Sequence, residues 1–146
     1  MWFADWLRAR NSSLAQAEAK RLTILAVSPA LEDLDILDLL SARHGWQMKP
    51  ARSLREAFRL LSERTFDIVL CDSNPPGHPW QEIMSRLARV SRGAAIVLIA
   101  PAKDDLLWLE VLSRGGFDVL ARPLGEQALR RVMDAAVLCD RLGCGA

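Results

Sequence analysis

Residues 66–77 read FDIVLCDSNPPG. Ile68, Val69, Leu70 and Cys71 form a short apolar run, Asp72 closes it, and Ser73-Asn74-Pro75-Pro76-Gly77 turns the chain at once. An apolar run without alternation reads as a strand covered on both faces. A carboxylate at its end costs desolvation unless something pairs with it. Two readings follow: Asp72 is a nucleophile, or it is an aspartate held by hydrogen bonds.

The same pattern recurs along the chain. LTILAV (22–27), the weaker WQMKPA (46–51), FDIVLC (66–71), AAIVLIA (94–100) and FDVLA (117–121) read as strands. Between and after them lie helical stretches at 31–45, 53–64, 79–91, 103–116 and 125–142. Ser53 with Glu56 predicts a helix cap, Pro79 suits a first turn, and Gly45 and Gly115-Gly116 suit helix ends. Five strand–helix units predict an α/β fold, a flavodoxin-like doubly wound parallel sheet in the order 2-1-3-4-5. In such sheets, ligands bind beyond the carboxyl ends of the strands. The positions of interest are then Ser28 and Pro29, Asp72, Ile99 and Ala100, and Arg122 and Pro123.

Before this lies a segment, 1–20, in which Trp2, Phe3, Trp6 and Leu7 would share one stripe of an extra N-terminal helix. The expected division is 1–20 helical extension, 21–142 domain and 143–146 tail. The 146 residues suffice for one domain with a core, and 51% apolar, 25% charged and a formal charge of +1 are ordinary for a globular chain. There is no basic excess for nucleic acid, no apolar run of membrane-spanning length and no basic-then-apolar leader pattern. Cys71, Cys139 and Cys144 fit neither a disulfide framework nor a zinc motif, so the expected compartment is the cytoplasm.

At the strand ends the sequence resembles response-regulator receiver domains of two-component signalling. FDIVLCDSNPPG looks like their central motif, a strand ending in the phosphoacceptor aspartate. GGFDVLARPL (115–124) looks like the last-strand motif, which normally ends in Lys-Pro. The resemblance spans about 21–142. It implies that Asp72 is the phosphoacceptor position, that the Asn74 carbonyl would face a metal, and that the Arg122–Pro123 bond is cis. It also shows departures. The acidic pair falls on Ser28 and Pro29, the hydroxyl on Ile99, the lysine on Arg122 and the switch aromatic on Val119.

Magnesium is usually held by one or two carboxylates with phosphate and water. With Asp72 as the single carboxylate expected there, the metal would bind weakly or not at all, and no other cofactor is expected. Arginine forms a planar fork that lysine cannot, so a direct Asp72–Arg122 pair is the expected resting state. Glu32, Asp33 and Asp35 read as acids favoured at a helix N-terminus, as do Asp104 and Asp105, and Asp67 opens its strand at the opposite end of the sheet. His44 and His78 read as solvent-facing loop residues, and Cys71 as a buried apolar group. Leu107 and Val111 would face the sheet. Trp108 and Leu112 would form a partly exposed ridge, or Trp108 would complete the core.

The resulting expectation is a receiver-like domain, degenerate at its pocket and not an enzyme, that signals through protein contacts. Its partners would be a histidine kinase, an output protein or a second copy of itself. Trp108, Leu112, Trp2, Phe3 and Trp6 are the interface candidates. Two alternatives are a receiver of atypical chemistry still phosphorylated on Asp72, and a flavodoxin-like binder of a small ligand. The partner, the stimulus and the dimer face have no signature in the sequence.

Overall fold

The apolar runs of the sequence become the inner strands of one sheet. The structure is a computed structural model that describes residues 21–142. The expected N-terminal helix with Trp2, Phe3 and Trp6, and the tail at 143–146, lie outside the described residues. The order is β1 (Thr23–Val27), α1 (Leu31–His44), β2 (Gln47–Ala51), α2 (Leu54–Glu63), β3 (Ile68–Asp72), α3 (Trp80–Val90), β4 (Ala95–Ala100), α4 (Asp105–Ser113), β5 (Asp118–Ala121) and α5 (Glu126–Leu142). All strand pairs are parallel and the sheet order is β2-β1-β3-β4-β5, as expected.

Strand side chains alternate between faces, and this splits the core in two. Ile24, Ala26, Ile68, Leu70, Val97, Ile99 and Leu120 pack with Leu37 and Leu40 of α1 and Leu129, Val132 and Met133 of α5. Leu25, Val27, Val69, Cys71, Ile96, Leu98, Ala100 and Val119 pack with α2, α3 and Val111 of α4. Burying one such leucine contributes about 1.5–3 kcal/mol. β2 is the weak strand because it lies at the edge. Its burial alternates, and Pro50, which has no N–H to give a ladder, is tolerated there.

The ends of the helices follow their sequence signals. Ser53 Oγ accepts from Glu56 N–H at 3.1 Å, and the Glu56 carboxylate accepts from Arg52 N–H at 3.0 Å. Asp104 caps α4 by accepting from Leu107 N–H at 2.8 Å. Gly45 closes α1 at φ 74°, a left-handed conformation in which glycine carries no Cβ penalty. Asp67 stays at the amino end of the sheet, where it accepts from Thr23 N and Oγ1. His44 departs from expectation. It ends α1, stacks on Trp46 at 4.7 Å and lies 2.8 Å from the Glu126 carboxylate, which also accepts from Arg43 at 3.0 Å. The end of α1 is thereby tied to the start of α5, and His44 is not a solvent-facing loop residue.

Candidate functional site

β3 carries Asp72 to the carboxyl end of the sheet. Ile68 and Leu70 face the α1–α5 layer, so Asp72, two residues on, faces it too. Its register partner on β4 is Ile99, which is buried in that layer. Leu120 on β5 also faces α1–α5, which aims Arg122 to the same side. The Arg122 N–H is anchored to the Ala100 carbonyl at 2.9 Å, and the Arg122–Pro123 bond is cis.

The Arg122 guanidinium bridges two carboxylates. Nε donates to Asp33 Oδ1 and Oδ2 at 3.2 and 3.0 Å, and Nη2 donates to Asp33 Oδ2 at 2.7 Å. The same Nη2 donates to Asp72 Oδ1 at 2.9 Å. Asp33 is only 3% exposed, against 15% for the Asp72 side chain and 19% for Arg122. The hydrogen bond from Arg122 to Asp33, and then that to Asp72, hold the guanidinium charged above its ordinary range, against the opposing effect of burial.

The expected Asp72–Arg122 contact is thus present, but it is half of a larger arrangement. Asp33 is not merely an acid at a helix start. It sits in the first turn of α1 on the stripe that continues through Leu37 and Leu40, both buried. A carboxylate at i of an i, i+4, i+7 apolar stripe is the signal that points to it. Glu32 and Asp35, off that stripe, are exposed.

The other strand-end positions divide. The Asn74 N–H donates to Asp72 Oδ1 at 3.2 Å, and Ser73 N–H donates to the Ile99 carbonyl at 2.8 Å, which shapes the turn after β3. Ser28 leaves β1 at a positive φ of 49°, its N–H on the Ala51 carbonyl at 2.7 Å, and Pro29 follows it. Neither supplies a carboxylate; Asp33, one turn into α1, does. Val119 and Ala100 point to the opposite layer and are buried there. Cys71 is enclosed in that layer as well, and burial, then the Asp72 charge, push its thiol up to about 12.

The carboxylates that converge at the strand ends are Asp33 and Asp72. Among the described residues no group of three or more His, Cys, Asp or Glu is gathered as metal ligands would be. The two carboxylates that do converge already share a guanidinium, so the cationic place between them is filled by Arg122.

On α4, Val111 is buried and Leu107 packs on the core, as expected. Trp108 and Leu112 are each 39% exposed, and Leu106 and Leu109 stand further out at 81% and 55%. Trp108 therefore belongs to an exposed apolar face and does not complete the core.

The sheet order and the two helical layers agree with known proteins. A CheY-like receiver domain from Methanospirillum hungatei superposes with a TM-score of 0.72 at 15% identity, over 84% of this chain and 98% of that one. The fold is that of a response-regulator receiver domain. A response regulator from Chloroflexus aurantiacus gives a TM-score of 0.71 at 22% identity, over 81% of this chain and 99% of that one. In sequence, the transcriptional regulatory protein ZraR of Escherichia coli O157:H7 is 24% identical over 116 residues. That match takes in 80% of this chain but only 26% of ZraR, so the chain spans about a quarter of the length of the relatives it matches. No family profile matches the sequence. No helix among the described residues is long and apolar enough to cross a membrane.

Proposed function

We propose that residues 21–142 form a receiver-like signalling domain, without enzymatic activity of its own, whose phosphoacceptor position is held in a standing ion-pair bridge. The observation that carries this is the Arg122 fork between Asp33 and Asp72. It pairs both carboxylates with one cation supplied by the chain itself. Ile99 adds an apolar side chain where a phosphoryl group would want a hydroxyl donor. Signalling then proceeds through surfaces. The exposed apolar face of α4, with Trp108 and Leu112 joined by Leu106 and Leu109, is the contact for a cytoplasmic protein partner or a second copy.

A second reading, phosphorylation on Asp72, is favoured by one observation. Arg122 makes three hydrogen bonds to Asp33 and one to Asp72, so it can release Asp72 and keep its main partner. A freed Asp72 oxygen would bond to the donor's phosphorus as the donor's leaving group departs with its electron pair.

The deciding experiment is Trp fluorescence during titration with magnesium and then beryllofluoride, with intact-mass measurement after acetyl phosphate and Asp72→Asn as the control. Trp80, packed on the core at the start of α3, is the reporter. The bridged reading expects no saturable change and no added phosphate. A change or a mass increase that vanishes in Asp72→Asn establishes the second reading instead.

A further inference from the structure

A group of arginines stands on the outer side of α3. Ile83, Met84 and Leu87 bury one side of α3, which turns Arg86 and Arg89 outward. An open cleft of about 700 Å³ on this surface is lined by Arg86, Arg89 and Arg114, with Glu82 as its one acid. A second cleft of about 640 Å³ shares Arg86 and Arg89, adds Arg92, and has Phe58, Leu61 and Val90 in its lining. The Arg86 guanidinium lies over the Phe58 ring at 4.9 Å, which fixes the side chain across the α2–α3 contact.

Arg43 meets Glu126, Arg59 meets Glu63, and Arg122 meets Asp33 and Asp72. Among the described residues Arg86, Arg89, Arg92 and Arg114 meet no carboxylate, and Glu82 faces His78 at 3.9 Å. In a chain of formal charge +1, three arginines against one acid in the first cleft, and three against none in the second, are a local excess of positive charge. Three like charges around each cleft repel each other, and an anionic occupant relieves that repulsion.

We propose that the outer side of α3, with one cleft toward α2 and one reaching Arg114 at the end of α4, is a docking surface for an acidic segment of a partner protein that also carries an apolar anchor. Guanidinium forks match carboxylates in pairs. Val90, 41% exposed beside Phe58 and Leu61, offers an apolar floor for one aliphatic or aromatic side chain. Two clefts that share Arg86 and Arg89 suit an extended or helical segment better than a single small anion. A nucleic acid would favour open aromatic faces for stacking, and the ring of Phe58 is covered by Arg86. Neither Asp72 nor the exposed apolar residues of α4 line either cleft, so the inference stands independently of the pocket's chemistry.

The test uses the full chain and three labelled probes: a short peptide of glutamates and leucines, its lysine–leucine counterpart, and oligothymidylate. Fluorescence anisotropy should show saturable binding of the acidic peptide alone, weakening as ionic strength rises past about 0.1 M, where screening acts within about 10 Å. Arg89→Glu with Arg92→Glu should weaken binding by about tenfold or more, a loss of about 1.4 kcal/mol. Both residues are exposed, so thermal melts should show this variant folded; Arg86→Glu is the less clean choice because Arg86 packs on Phe58. Equal binding by the double variant, or tighter binding of oligothymidylate, overturns the proposal. So does self-association of the chain abolished by the same variant, since the occupant is then a second copy offering its own Asp104, Asp105 and Leu106.

Discussion

Replacing Arg122 with methionine tests the bridge most directly. The apolar stem is kept and the fork is lost. Asp33, 3% exposed, is left as a buried carboxylate without its three hydrogen bonds. Removing one partner of a buried ion pair costs about 3–5 kcal/mol. Arg122 is itself 19% exposed, so water reaches the outer side of the site, and the expected loss lies at the low end. A loss of about 3 kcal/mol lowers Tm by about 10 °C in a domain of this size. Asp72→Asn, by contrast, leaves the guanidinium on Asp33 and should cost about 1 kcal/mol. Adding Asp33→Leu to Arg122→Met removes the stranded charge and should recover most of the stability, to within about 1 kcal/mol of the parent. Urea unfolding followed by circular dichroism and Trp fluorescence measures all of these. The raised Arg122 pKa means that its charge contributes fully below the ordinary arginine range and is lost only above it. The Arg122→Met deficit should therefore show no arginine titration from mildly acid to alkaline pH. A deficit under about 1 kcal/mol, or a further loss in the double variant, would refute the reasoning.

Three other outcomes are expected. Gly116→Ala should destabilise by about 1–3 kcal/mol in the same melts, because overpacking forces neighbours apart; its Cβ would come within 2.5 Å of Val111 Cγ1 and 2.7 Å of Met84 Sδ. The Glu126 carboxyl is held below its usual range by His44 and then Arg43, so its contribution is present at neutral pH and lost as pH falls through the lowered value. The Tm difference between parent and Glu126→Gln should be small at neutral pH and close in acid. Cys71, 1% exposed with its thiol pushed up to about 12, should resist maleimide in the native state and react after denaturation, as read by peptide mass mapping.

The fold was legible because the inner strands are apolar without interruption and the helices carry their own punctuation. Ser53, Asp104 and Gly45 sit where the chain says they should. The strand-end positions followed from the alternation alone, and pairing of Asp72 with Arg122 followed from the chemistry of the fork. Asp33 was harder. An acid in the first turn of a helix has an adequate local explanation, and only its shared stripe with Leu37 and Leu40 marks it as inward-facing. His44 was obscured for a related reason. Its partners are Trp46, across the turn, and Glu126, brought close by the packing of α5 beside α1, and no local pattern announces that tertiary contact. The arginine groove has no linear signature, because its members come from α3, the turn after it and the end of α4.

The bridge also has a place in time. Arg122 is separated from Asp33 by 89 positions and from Asp72 by 50. Its three residues come together only when β5 has docked on β4 and α1 already covers the sheet. Interactions of such long sequence separation must follow most of the loop closure. An interaction formed after the folding barrier leaves the folding rate almost untouched and slows unfolding instead. A bridge made at that late stage acts as a brake on disassembly, and its signature is that Arg122→Met speeds unfolding more than it slows folding.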